Sequence, residues 1–228
     1  WRWRESPACR MHGTMPMAEI SGSFRAFPEA RDYFQRKLNL PTWRWDELWQ
    51  AQHAKAFTVA GATKDALLED LRQDVAAAIN DGETIADFRA RFSEIVARNG
   101  WVGWTGSETA ARTAWRTSII YHTNLRTSYQ AGRWETLKGF PYLKYVHNTV
   151  ANPREQHRRW NGLIIATDDP WWHTHYPPNG WGCRCTATGV SAARLRALGK
   201  AQPDAAPADT PGDPPPEWAY NVGQAAQL

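Results

Sequence analysis

The sequence predicts an α+β protein: an amino-terminal helical body with a long spine helix, followed by a small mixed α/β module stabilised by zinc. Three observations carry the fold. Three amphipathic stretches of helical period follow one another between residues 45 and 99, and a further helical pattern runs for 31 residues from 107 to 137. Beyond Gly139 the pattern changes to short β-prone runs bounded by Asn, Gly or Pro. The boundaries that follow are a loose leader at 1–25, the helical body at 26–138, the module at 139–200 and a Pro-rich acidic tail at 201–228.

Taken in order, PEARDYFQRKLNLP reads as a short helix closed before Pro41, and WDELWQAQHAKAFTVAG places Leu48, Trp49, Gln52, Ala56 and Phe57 on one helical stripe that ends at Gly61. Thr63 can cap a helix whose apolar positions are Leu67, Leu68, Leu71, Val75, Ala78 and Ile79. Thr84 with Asp87 resembles a capping box, and the helix it opens buries Ile85, Phe88, Phe92, Ile95 and Val96 before Asn99-Gly100. The spine, SETAARTAWRTSIIYHTNLRTSYQAGRWETL, carries Ala111, Trp115, Ile119, His122, Leu125 and Tyr129 along an apolar stripe, with His122 read as a core histidine. YLKYVHNTV, GLIIAT and CRCTATGV have strand composition, and SAARLRALG is one last helix closed by Gly199. Six prolines between residues 203 and 216 mark the tail as a stiff, extended linker.

With 228 residues and 42% apolar composition, the chain can bury a real core. Fourteen tryptophans favour small cores and partner surfaces held by aromatic anchors. The net charge of +4 conceals an uneven distribution, since residues 108 to 160 hold nine Lys/Arg against three Asp/Glu and residues 201 onward hold four acids and no base. Arg112, Arg116, Arg126 and Arg133 supply much of this basic charge and are candidates for contact with nucleic acid or an acidic partner. No apolar run reaches the ~20 residues needed to span a bilayer. WRWRESPACR lacks the apolar region of a secretion signal, so the protein is expected to be made in a reducing cytoplasm. The chain opens on Trp1 with Met11, Met15 and Met17 following, which reads as a fragment or an over-extended start.

The densest chemistry lies in HTHYPPNGWGCRC, residues 173 to 185, with two histidines and two of the three cysteines. Residues two apart on an extended chain project to one side, so Cys183 and Cys185 can face a common point. A structural zinc takes four Cys or His ligands. His175, before the Pro-Pro-Asn-Gly turn, and His157, in NPREQHRRWNG, are the two chosen to complete the set, with His173 and His147 in reserve. The spacing leaves a second reading open, in which both cysteines are small buried side chains and His175 is a turn residue. Asp168-Asp169-Pro170 reads as a turn rather than as metal-binding carboxylates.

Several runs together resemble the phage Mu F-like minor head proteins: KLNLPTWRWDELWQAQHAKAFTVAGATKDALLEDL, YHTNLRTSYQAGRW, FPYLKYVH, NPREQHRRWNGLI and DDPWWHTHYPPNGWGCRC. The resemblance spans roughly residues 26 to 200, and its signature is P-R-x-x-H-x-x-x-x-G followed by D-D-P-x-W and P-P-N-G-W-x-C-x-C. It implies a head morphogenesis protein of a phage or prophage, present in few copies in the virion near the portal, made in the host bacterial cytoplasm, and partnered by portal and major capsid proteins, with packaged double-stranded DNA as a further contact and no membrane. It implies no catalysis. Related head proteins carry C-x-x-C in place of the P-R-x-x-H segment, with a later His and C-x-C, in what looks like a zinc knuckle. On that pattern His157 stands for the second cysteine, Arg154 takes the place of the first, and Cys183 and Cys185 form the later pair. The alternatives are a metal-dependent nuclease or toxin-like effector, and a non-specific DNA-binding adaptor.

Overall fold

The computed structural model describes residues 27–148, 150, 152–208 and 213–227, so the expected leader, Cys9 included, lies outside the described residues. Helix α1 (Pro28–Gln35) begins on proline, whose fixed φ suits the first turn, and buries Ala30, Tyr33 and Phe34. Strands β1 (Leu38–Asn39) and β2 (Ala56–Phe57) pair in parallel, with α2 (Gln52–Lys55) between them. Helices α3 (Asp65–Asp81) and α4 (Ile85–Asn99) follow the predicted periods. All six apolar positions predicted for α3 are buried, α4 opens on the Thr84–Asp87 capping box, and each ends on a left-handed glycine, Gly82 and Gly100. The first turn of α3 is preceded by Lys64 and has no side-chain cap, so Thr63 does not play the part expected of it.

The spine is α5 (Ala110–Leu137), where the Thr109 side chain accepts the Arg112 N–H; its 28 residues extend about 42 Å at the helical rise. Beyond it lies an antiparallel sheet in the order β4-β3-β5, formed by β3 (Tyr142–Val146), β4 (Ile164–Ala166) and β5 (Thr186–Val190). Leu143 and Tyr145, two apart on the central strand, both point into the core. Three short helices, α6 (Glu155–Arg159), α7 (Trp172–His175) and α8 (Ala192–Ala197), fill the connections and follow the last strand. The fold class is thus α+β, as predicted.

Three expectations need correction. The stripe through Leu48, Trp49, Gln52, Ala56 and Phe57 forms only the four residues of α2. Upstream, Glu47 Oε1 accepts the N–H groups of Trp43 and Arg44, Gln52 Oε1 accepts that of Trp49, and Gln50 has φ 43°. Gln50, in the left-handed region, interrupts a right-handed helix at this point. On α5 the predicted stripe is not the buried one: Trp115 is exposed, and the burial passes through Thr117, Ile120, Tyr121, Thr127, Ser128, Ala131, Trp134 and Leu137. Thr117 and Thr127 return their hydroxyls to the carbonyls of Thr113 and Thr123, so these two polar residues fill core positions without an unpaired hydroxyl.

The third correction concerns the tail. Residues 213–227 are not an extended linker: a 3-10 turn at Pro216–Trp218 and a short helix α9 (Val222–Ala225) fold back onto α5, burying Trp218, Val222 and Ala225. Three apolar clusters form among the described residues, and α5 belongs to the two larger. Ile120 and Tyr121 pack with α3 and α4, whereas Ala131, Trp134 and Leu137 pack with the sheet, Val222 and Ala225.

The closest approach in the helical body is at Gly132, where a Cβ would sit 2.6 Å from the Ala30 backbone nitrogen and from the Phe27 ring. Alanine in place of glycine favours an isolated helix by about 1 kcal/mol. Here the collision is with the backbone of α1, which cannot rotate away. Gly132→Ala is therefore expected to destabilise the fold by about 1–3 kcal/mol, as overpacking does, read as a lower urea midpoint with an unchanged slope.

Candidate metal centre

The His157, Cys183 and Cys185 side chains come together beneath the sheet, all three almost fully buried. Among the described residues, they form the one group of three or more His, Cys, Asp or Glu residues whose ligand atoms lie within 4.8 Å of one another. Each comes from a different local device. His157 is carried by α6, in the connection between β3 and β4. Cys183 closes a turn in which its N–H bonds the Gly180 carbonyl, and Cys185 stands immediately before β5. The turn is held by Arg154, whose guanidinium donates to the Trp181 carbonyl at 2.8 Å. Gly180 has φ 154°, and a Cβ there would lie 3.0 Å from that guanidinium. Where the resemblance places a first cysteine, this chain thus has a cation bracing the turn.

Nδ1 of His157 lies 3.7 Å from Cys183 Sγ and 3.6 Å from Cys185 Sγ. A tetrahedral zinc bonded at about 2.3 Å to sulfur and about 2.0–2.1 Å to nitrogen sets those atoms roughly 3.6 Å apart. The donor set and its spacing therefore fit such an ion. The opposite ring nitrogen, Nε2, lies 3.0 Å from Asp213 Oδ1. Around the group stand aromatic rings: Trp160 stacks on His157 at 5.1 Å, and Tyr145 and Trp171 meet Trp160 edge-on. The Tyr145 hydroxyl donates to the buried Asn179 side chain.

The electrostatics follow from this packing. Cys183 is held well below the ordinary thiol range, first by its hydrogen bond with Cys185 and then, against the opposing effect of burial, by His157. The same contact with Cys183, followed by burial, pushes Cys185 upward. Burial alone would lower His157, but Cys183 and Asp213 outweigh it and raise its pKa. The pair thus has one sulfur ready to ionise and one holding a proton, an arrangement that a cation would convert to two thiolates.

Of the other predicted ligands, His175 is not in the group. Its Nδ1 faces the Trp171 carbonyl at 3.1 Å and Thr174 Oγ1 at 2.8 Å, while its ring stacks on Trp171 at 4.4 Å. His175 is therefore part of the aromatic packing. His173 is exposed. His147, the second reserve, brings Nδ1 to 3.4 Å from Cys185 Sγ but is not within 4.8 Å of the whole set. His122 is half-buried against Tyr121 rather than at the metal group, and burial, then Arg126, Arg184 and Arg89, lower its pKa to about 4. Asp169 Oδ1 accepts the Trp171 N–H, which makes the Asp-Asp-Pro stretch a turn.

The arginines do not form the open basic face expected of them. Arg116 donates to the Ala60 carbonyl, Arg126 to that of Cys183 and Arg133 to that of Ala187; only Arg112, paired with Glu108, is exposed. Sequence reasoning missed Asp213, because it lies in the stretch whose proline content indicated a linker. The aromatic pair Trp218 and Tyr220 just beyond was the available signal that the stretch ends in an anchor.

Comparison with known proteins places this geometry in context. The family model described as Phage Mu protein F like protein matches residues 69–188. The putative capsid assembly protein F of Escherichia phage Mu is 36% identical over 183 residues, covering 75% of this chain and 42% of the relative. The Mu-like prophage FluMu F protein of Haemophilus influenzae is 34% identical over 166 residues, covering 69% of this chain and 40% of the relative. The chain thus spans about two fifths of the length of these curated relatives. No solved structure matches it significantly. The matched family region contains His157, Cys183 and Cys185 and stops short of Asp213.

Proposed function

Because the chain belongs to the Phage Mu protein F like family, we propose that it works in phage head assembly, as a minor head protein carried in the virion near the portal and without catalysis of its own. The observation that carries this reading is its likeness to a phage Mu protein named for capsid assembly. The surface supports it. Five of the nine large apolar side chains exposed among the described residues, Leu38, Leu40, Trp43, Trp45 and Trp49, lie within one twelve-residue segment, which suits a protein partner held by aromatic anchors. No helix among the described residues is long and apolar enough to cross a membrane. Portal and major capsid proteins are the partners proposed. We do not extend the proposal to DNA, because three of the four candidate arginines already donate to main-chain carbonyls.

In this reading a structural zinc is held by His157, Cys183 and Cys185, and His147, with Nδ1 3.4 Å from Cys185 Sγ, is the donor proposed for a fourth bond. The ion supplies folding free energy by cross-linking α6 to the segment before β5, much as structural zinc does in other small modules. A fourth protein donor closes the coordination sphere in the structural role, whereas water activation keeps that position open.

Three measurements test these statements. In a phage or prophage that encodes the protein, mass spectrometry should find it in purified heads, with cross-links from residues 38–49 to the portal; normal DNA-filled heads formed in its absence overturn the assembly role. Elemental analysis of purified protein should give about one zinc per chain, and Cys183→Ser should lose it and speed amide exchange beyond Phe140 while α3 and α4 keep their protection. Incubation with DNA and divalent ions should leave the DNA intact; cleavage that disappears in His157→Ala would establish a nuclease instead.

A further inference from the structure

The contact between His157 and Asp213 joins residues 56 positions apart. His157 directs Nδ1 at both sulfurs and Nε2 at the carboxylate. An imidazole that gives its Nδ1 lone pair to a metal carries its remaining proton on Nε2, and a carboxylate accepting that proton fixes both tautomer and ring orientation. Asp213 also lies in the part of the tail that folds back on the molecule. Trp218 meets Trp181 edge-on at 5.1 Å, within the same turn that leads to Cys183. Asn221 caps α9 and donates to the Trp172 carbonyl. Val222 and Ala225 share an apolar core with both cysteines. Gly223 lies so close to Trp134 that a Cβ would stand 2.2 Å from that residue's Cβ.

We infer that Asp213 is a positioning residue for the metal ligand His157, and that residues 213–225 form a clasp whose docking is linked to metal binding at His157, Cys183 and Cys185. The inference rests on reading that group as a metal centre. Linkage makes it reciprocal: whatever factor the docked clasp contributes to metal affinity, the metal contributes to docking of the clasp. Loss of such an outer carboxylate typically weakens metal binding about 10–100-fold.

The test uses the full chain and zinc alone. Competition with a chromophoric chelator should show zinc binding about 10–100-fold weaker in Asp213→Ala than in the unaltered protein. Asp213→Asn, which keeps an acceptor oxygen but no charge, should fall between. Hydrogen exchange of the unaltered protein should show slower exchange at Gly223, Gln224 and Ala225 with zinc than without. In Asp213→Asn saturated with zinc, those amides should exchange faster while β3 and β5 stay protected, a pattern that general loosening of the module does not produce. Equal zinc affinity in all three proteins, or exchange at 223–225 that is the same with and without zinc in the unaltered protein, overturns the clasp and leaves the metal centre standing. Failure of the unaltered protein to bind zinc overturns both. The exchange comparison on the unaltered protein decides the matter even if Asp213→Ala does not fold.

Discussion

The meeting of one imidazole and two sulfurs in a dry, aromatic-lined volume is the constraint around which the carboxy-terminal half of this protein is organised. The sheet next to it has strands of five, three and five residues, too little for independent stability without cover. Cover comes from Trp160, Trp171, Trp172 and Tyr176, all drawn to the same centre. An unmatched buried donor or acceptor costs about 1–3 kcal/mol, and among the described residues Trp171 and Trp172 leave their indole N–H groups without a partner there. His157 finds partners at both ring nitrogens, sulfur on one side and carboxylate on the other. The connection that carries α6, the turn before β5 and the returning tail are therefore all fixed relative to one ring.

Helix α5 transmits this order to the rest of the molecule. Its first half packs with α3 and α4, and its second half with the sheet and α9. The arginines along it act as cross-braces: the carbonyls of Ala60, Cys183 and Ala187, from both cores, accept guanidinium hydrogen bonds from this one helix. That use takes Arg116, Arg126 and Arg133 out of the open surface, whereas Arg112, Lys138, Arg154, Arg158 and Arg159 of the same basic stretch stay exposed. An arginine directed at a main-chain carbonyl satisfies an acceptor that a loop would otherwise leave buried. What α5 leaves for partners is largely aromatic, in the β1–α2 segment that carries Trp43, Trp45 and Trp49.

The sequence made visible those elements that local physics determines. α3 and α4 were legible because apolar period, capping box and terminal glycines agree, and β3, β4 and β5 because β-prone runs are bounded by turn residues. The segment from 45 to 57 departs from its helical period because Gln50 turns left-handed, and because the pairing of β1 with β2 is decided by contacts that periodicity does not encode. The α5 stripe was displaced for a related reason: threonines that return their hydroxyls to the helix count as core but not as apolar. At the site, His157, Cys183 and Cys185 were legible from spacing and resemblance. His175 was chosen over His147 because sequence adjacency to the Pro-Pro turn suggested proximity. In the fold, the ring of His175 lies against Trp171, whereas strand β3 delivers His147 to the edge of Cys185.

The tail shows how one composition can serve two opposite ends. Proline content indicated a segment unable to bury enough surface to fold, and the inference holds for such a segment in isolation. Proline also removes the N–H donor and narrows the unfolded ensemble, so a proline-rich stretch loses less entropy on being laid down and leaves fewer donors to satisfy. Such a stretch needs only an anchor at each end to become a strap. Here the anchors are Asp204, which exchanges hydrogen bonds with the Ile164 backbone, at one end, Asp213 on His157 within the stretch, and Trp218, Asn221 and Val222 at the other end. Asp213, one of the four acidic residues that made the tail look solvated, reaches the buried imidazole. Its Oδ1 faces that ring's Nε2 at 3.0 Å, a contact that a sequence read by composition alone cannot supply.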